Sequence, residues 1–98
     1  MDRTISNDEQ IKIIEVLDKF VCSDNIAYHA LRTRYSGARR FMSVHILVPG
    51  HWTVQQSHDL AESLEQQVKS IFNDIDIDTH LEPIEDIASW QHLKIAKQ

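Results

Sequence analysis

Strict alternation between apolar and polar side chains over residues 75–82 is the feature that most constrains the fold of this chain. The apolar set is Ile75, Ile77 and Leu81, with Thr79 in the same phase, and the polar set is Asp76, Asp78, His80 and Glu82. Because successive side chains of a strand point to opposite faces, the pattern predicts a strand with one face in a core and one polar face. Pro83 ends this strand.

The segments before this strand alternate between helical and extended patterns. A first helix is predicted over residues 7–19, because Ser6 to Glu9 has the S-x-x-E form of a capping box. Strands over 25–35 and 39–48 flank a short turn containing Gly37, and a second helix follows over 53–72. The order αββαβ predicts an α+β, ferredoxin-like sandwich, a three-stranded sheet with both helices on one face.

Composition restricts both the size of the fold and its partners. The chain has 98 residues, of which 42% are hydrophobic, so we expect one domain over 1–98, with residues 84–98 as a C-terminal tail of weak helical periodicity. A net charge of −5 disfavours nucleic acid as a partner. The arginines at 32, 34, 39 and 40 are interpreted as a solvated hairpin end with some ion pairs. No apolar run approaches the roughly 20 residues that span a bilayer, and a lone Cys22 excludes an intrachain disulfide.

Alternation also assigns histidines to one surface. In the strand over 39–48 the apolar set is Met42, Val44, Ile46 and Val48, so His45 points the opposite way with Phe41, Ser43 and Leu47. His80 and Glu82 share the polar face of their strand, and His29 lies in the strand paired with that of His45. Imidazole and carboxylate donors suit Zn2+, although Mn2+, Fe2+, Co2+, Ni2+ and Cd2+ use similar donors. The alternative interpretation is of scattered surface histidines.

Several segments together resemble the cytoplasmic domain of the cation diffusion facilitator family. They are His29-Ala30-Leu31-Arg32-Thr33-Arg34-Tyr35-Ser36-Gly37, Phe41-Met42-Ser43-Val44-His45, Ser57-His58-Asp59-Leu60-Ala61 and Ile77-Asp78-Thr79-His80-Leu81-Glu82-Pro83. The resemblance covers nearly everything from Met1 to Pro83.

The resemblance implies a set of site residues and partners. A binuclear zinc site at a homodimer interface would use His29, His45, His80 and Glu82, with His58 as a further ligand. Asp2 matches an acidic residue that pairs with a lysine of the parent transporter's membrane domain. The domain itself would be cytoplasmic and its parent would lie in the cell inner membrane. Ala30 and Glu82 depart from the family pattern, which has aspartate at both positions.

These observations favour a metal-responsive regulator of a divalent-cation efflux transporter. The alternative is a freestanding cytosolic metal-binding or buffering protein of the same fold. We expect no enzymatic activity, no small organic substrate and no RNA binding, the last because the sheet face carries Asp76, Asp78 and Glu82. We expect a homodimer, because Phe41 and Leu47 on this face need cover. His51 and His92 are interpreted as solvated. Cys22 is interpreted as a small apolar residue, with an accessory metal role as the alternative, and Trp52 and Trp90 as residues of either the core packing or the dimer surface.

Overall fold

The helices and strands follow the predicted order, with one short strand added at the beginning. The computed structural model of the chain describes residues 2–3, 5–22 and 25–86, and only the backbone of residues 2–3. The elements are β1 (Asp2–Arg3), α1 (Asn7–Val21), β2 (Ala27–Ser36), β3 (Arg39–Val48), α2 (Val54–Ile71) and β4 (Ile75–Pro83). Most of the predicted tail, 87–98, lies outside the described residues.

The sheet is mixed, and its strand order follows the chain, β1-β2-β3-β4. Antiparallel pairing joins β1 to β2 and β2 to β3, whereas β4 runs parallel to β3 after the α2 crossover. Parallel neighbours require such a crossover, and a helix of 18 residues supplies it. The predicted ferredoxin-like α+β fold is therefore confirmed, and β1 extends the sheet at one edge.

Both helices begin at side-chain caps, and one cap differs from the prediction. Thr53 and Gln56 form a full capping box, with Gln56 N donating to Thr53 Oγ1 at 3.0 Å and Thr53 N donating to Gln56 Oε1 at 2.8 Å. At α1, Ser6 Oγ accepts from Glu9 N at 3.3 Å, but the Glu9 carboxylate binds Tyr35 and Arg40 instead of the cap. Neither described helix has the length and apolar character needed to cross a bilayer.

The core lies between the helices and one face of the sheet. Its fully or almost fully buried side chains come from both helices and from β3, and they are Ile13, Leu17, Met42, Val44, Ile46, Leu64 and Val68. Each contributes about 1.5 to 3 kcal/mol through burial. The alternation predicted for β3 is thus confirmed on its core side.

Leu47 departs from the prediction for the opposite face. It pairs with Ala27 on one side and Glu82 on the other, yet its side chain is 0% exposed within a single chain. The expectation that Leu47 forms an uncovered apolar surface needing a partner is therefore wrong. Phe41, on the same face, is half-buried, with the Arg34 guanidinium 4.4 Å above its ring.

Arg40 also departs from the predicted solvated hairpin end. Its side chain is 17% exposed, and its two terminal nitrogens each lie 2.5 Å from a carboxylate oxygen, one of Glu9 and one of Asp74. Arg39, by contrast, forms the predicted kind of exposed pair, with Asp76. Arg40 consequently ties α1 to β3 and to the turn before β4.

Candidate metal centre

Strand register places three histidines in one row across the sheet. His29 of β2 is the pairing partner of His45 in β3, and His45 is in turn the partner of His80 in β4. Paired residues of neighbouring strands point to the same face. The row therefore lies on the face opposite the helices, as the alternation predicted.

A β-bulge in β2 determines which residue of that strand faces His45. The register changes between His29 and Arg32, so two residues of β2 oppose one residue of β3. Ala30, inside this bulge, has a φ of 57°. A bulge inserts one residue and bends the strand, and sequence alternation alone did not reveal it.

Glu82 brings two of the histidines together. Its Oε1 atom lies 3.3 Å from His29 Nε2, and its Oε2 atom lies 2.7 Å from His45 Nδ1. The ring centroids of His29 and His45 are 5.0 Å apart. Each of these three residues offers one atom that could bind a metal, and these atoms all lie within 4.8 Å of one another. Among the residues that the structure describes, this is the group that could hold a metal ion.

The geometry of these three donors fits a divalent cation. For an ion bound about 2.1 Å from each donor in a tetrahedral site, donors lie about 3.4 Å apart. The Glu82 oxygens already lie 3.3 and 2.7 Å from the two imidazole nitrogens, and no pair of these ligand atoms is more than 4.8 Å apart. Three protein ligands leave further positions open, and the side chains of His45 and Glu82 are 33% and 30% exposed, so solvent or another chain can reach the site.

Contacts beyond the end of β4 hold Glu82 in place. Ile84 N donates to Val48 O at 2.8 Å, and the Glu85 carboxylate accepts from Gly50 N at 2.9 Å. A Cβ on Gly50 would stand 3.0 Å from that carboxylate. These contacts fasten the ends of β3 and β4 together just after Glu82.

His80 lies beside this cluster rather than within it. Its ring stacks on His45 at 4.9 Å with an interplanar angle of 23°, and its Nε2 atom is 3.7 Å from Asp78 Oδ2. The side chain is 54% exposed. His80 is therefore not one of the three residues whose ligand atoms converge, which are His29, His45 and Glu82.

The structure does not bring His58 to the other predicted ligands within one chain. His58 lies on α2, whose buried residues pack on the core side of the sheet, and its Nε2 atom is 2.9 Å from Glu62. Its side chain is 62% exposed, and it lines a groove with Thr79 and Leu81 beside β4. The sheet separates it from the donors on the opposite face.

The sheet face that carries the histidines is less acidic than its carboxylates suggest. Arg39 donates two hydrogen bonds to Asp76, of 3.1 and 2.7 Å, and these bonds lower the pKa of Asp76 below its usual value. Arg32 shares this face by its pairing with Ser43. The prediction from sequence considered only the acidic residues of this face, and Arg39 and Arg32 balance part of their negative charge.

The remaining predicted residues take no part in the cluster. His51 is exposed in the turn after β3. Cys22 is exposed at the end of α1, with its thiol donating to Lys19 O at 3.1 Å, so its interpretation as a small apolar residue is wrong. Trp52 packs partly against the core. The side chain of Asp2, and all of Trp90 and His92, lie outside what the structure describes.

Comparison with known proteins identifies the family. Residues 5–84 match the model of the cation efflux protein cytoplasmic domain. The chain is 34% identical over 84 residues to the cation-efflux pump FieF of Pectobacterium carotovorum, covering 86% of this chain and 27% of that protein. It is 49% identical over 67 residues to an uncharacterized transporter of Synechocystis, covering 68% of the chain and 22% of that protein. The chain thus spans about a quarter of the length of these relatives.

Solved structures agree with this assignment. CzrB in its zinc form is 29% identical, with a TM-score of 0.73, and the match covers 85% of this chain and 93% of that one. The metal-bound C-terminal domain of the CzcD transporter from Thermotoga maritima is 26% identical, with a TM-score of 0.71 and coverage of 85% and 99%. The chain belongs to the family of cation efflux protein cytoplasmic domains, and the resemblance noted in the sequence is confirmed.

Proposed function

We propose that this chain binds a divalent cation, foremost Zn2+, through His29, His45 and Glu82, and that the bound ion regulates a cation efflux transporter of which the chain is the cytoplasmic domain. The observation that carries the proposal is the convergence of three donor atoms within 4.8 Å on one face of the sheet. The zinc form of CzrB and the metal-bound CzcD domain support it from the family side.

The donor chemistry ranks the candidate ions. Two imidazoles and one carboxylate are the donors of many zinc sites, and Fe2+, Mn2+, Co2+, Ni2+ and Cd2+ accept the same set. Hard oxygen-seeking ions such as Mg2+ prefer carboxylates and water. We therefore expect Zn2+ to bind more tightly than Mg2+ by a wide margin.

A second copy of the chain is the partner that we infer from the two predicted ligands outside the cluster, His80 and His58. His80 is half-exposed beside the cluster, and His58 lies on the helix side of the sheet. A ligand role for His58 at the shared site therefore requires the His58 of a second chain. This arrangement predicts a homodimer in which each subunit contributes to the metal site of the other.

Regulation follows from a site that spans two subunits. Ligands from two chains bind one ion well only at one separation of those chains, so ion binding selects that arrangement from the available ones. An attached membrane domain would sense the change through the start of the chain, where Asp2 is the residue we propose to contact it. The parent protein would lie in the cell inner membrane with this domain on its cytoplasmic side.

Calorimetric titration with Zn2+ tests the proposed ligands. We expect His45→Ala to weaken binding by at least about tenfold, because a direct donor is lost. His51→Ala is the matched control, since His51 is exposed in a turn, and its affinity should equal that of the unmodified chain. Equal effects of the two substitutions, or no binding by the unmodified chain, would overturn the proposal.

A further inference from the structure

The bulge in β2 places an alanine in a conformation that alanine disfavours. Two described residues other than glycine have positive φ, Asn25 and Ala30, both at 57°. Asparagine is several-fold enriched in this left-handed region, whereas the Cβ of an ordinary L-residue such as alanine crowds the backbone there. Strain of this kind is retained where surrounding structure requires it.

The register shows what this extra residue accomplishes. From the hairpin turn to the pair Arg32 with Ser43, the two strands follow one regular register. Continued without a bulge, that register would place Ala30 opposite His45. His29 would then oppose Ile46, whose side chain is buried in the core. The bulge shifts the pairing by one residue, so His29 faces His45 on the metal side of the sheet.

His29 must also lean across a strand to reach its second partner. Glu82 lies on β4, two strands away from β2, and neighbouring strands are about 4.8 Å apart. The His29 Nε2 atom is nevertheless 3.3 Å from Glu82 Oε1. Its ring is tilted by 52° from that of His45, whereas His80 and His45 are nearly parallel at 23°. A bulge bends its strand locally, and His29 is the last residue in register before this bulge.

We propose that Ala30 is a positioning residue for the metal site: its left-handed backbone conformation maintains the bulge that turns His29 toward His45 and Glu82. The proposal rests on the metal-binding function proposed above. It predicts that zinc affinity depends on how well residue 30 adopts positive φ, although its side chain supplies no donor atom.

Substitutions that separate backbone conformation from chemistry test this idea. Ala30→Gly and Ala30→Asn permit positive φ, and we expect both to keep zinc affinity within about twofold and to raise the melting temperature of the metal-free chain. Ala30→Val opposes positive φ because valine is β-branched, and we expect its affinity to fall by about tenfold. Ala38→Val, at an exposed position in the same hairpin whose φ is not positive, is the control and should bind normally.

A metal-free readout accompanies the titrations. Nuclear Overhauser effects between the ring protons of His29 and His45 should be present in the unmodified chain and in the Ala30→Gly and Ala30→Asn variants. They should be lost in Ala30→Val. If Ala30→Val is folded and binds zinc like the unmodified chain while His45→Ala does not, the role of Ala30 is refuted and the metal site stands. If His45→Ala also binds normally, the metal site itself is refuted. If Ala30→Val does not fold, a lower melting temperature for Ala30→Gly than for the unmodified chain would refute the proposal.

Discussion

The Nδ1 atom of His45 lies 2.7 Å from Oε2 of Glu82, while the other oxygen of the same carboxylate lies 3.3 Å from His29 Nε2. One carboxylate thus holds two imidazoles from two different strands. These contacts group one ligand atom of each of the three residues within 4.8 Å of the others, and an imidazole nitrogen that donates to the carboxylate would lose its proton on binding an ion. The three residues that we propose as ligands therefore already lie together.

The charge and the position of the Glu82 carboxylate should both contribute to the affinity for zinc. We expect Glu82→Gln to weaken zinc binding by about tenfold or more, because an amide oxygen is a poorer ligand than a carboxylate and does not balance the ion's charge. Glu15→Gln is the matched control, since Glu15 is an exposed residue of α1 and contacts none of the proposed ligands. Isothermal titration calorimetry would measure both, and a normal affinity for Glu82→Gln would remove this residue from the site.

The two arginine pairs at the hairpin end should differ sharply in their contribution to stability. Replacing Glu9 by Gln breaks a contact with Arg40, whose side chain is only 17% exposed, and we expect a loss of about 1 to 2 kcal/mol in unfolding free energy. Asp76→Asn breaks the exposed pair with Arg39, with both side chains 53% exposed, and should change stability little. Urea unfolding of the metal-free variants measures both, and equal losses would contradict this account.

Stability should also depend on pH through Glu9. The hydrogen bond from Arg40 lowers the pKa of Glu9 in the folded chain below its usual 4.5. The folded carboxyl group therefore binds a proton less readily than the unfolded one. Its contribution is present above about pH 4.5 and is lost as the pH falls below it toward the folded-state pKa. Urea midpoints from pH 7 to pH 3 should fall more steeply for the unmodified chain than for Glu9→Gln, and parallel curves would refute the assignment.

His58 provides a test of the shared site. If a second chain supplies it, His58→Ala should weaken both zinc binding and zinc-dependent dimer formation. If the second chain supplies His58, a mixed dimer of the His58→Ala and His45→Ala chains would have one site with all its ligands and one site that lacks both His45 and His58. If each chain supplied its own His58, both sites of the mixed dimer would lack one ligand. Sedimentation velocity with zinc titration distinguishes these cases. Full retention of affinity by His58→Ala would exclude His58 from the site.

Metal should narrow the range of separations between two subunits. Cys22 is the single cysteine of the chain and is exposed, so one spin label can be attached without any other substitution. Electron spin resonance distance measurements between two labelled subunits should give a narrower distribution with zinc than without it. At free zinc about 100 times its dissociation constant, linkage adds roughly 2.7 kcal/mol per site, which should also raise the melting temperature. If zinc changes neither the distances between the labelled subunits nor the melting temperature, the regulatory mechanism is contradicted and the chain would at most store metal.

The sequence predicted the fold well because its elements carry strong local patterns. Alternation in 39–48 and 75–82 assigned His45, His80 and Glu82 to one face, and strand pairing in the structure agrees. The bulge at Ala30 was missed, although it changes the phase of the alternation, from Ile26 and Tyr28 on the core side before it to Leu31 and Tyr35 after it. The burial of Leu47 and Arg40 was also missed, since each depends on contacts between distant segments rather than on local pattern.

Anomalous diffraction at the zinc edge, from crystals of the unmodified chain grown with zinc, tests the central claim most directly. We expect a zinc peak about 2.0 to 2.2 Å from one nitrogen each of His29 and His45 and from a carboxylate oxygen of Glu82. Peaks found only at other residues, such as His51 or the pair of His58 with Glu62, would contradict the proposed site.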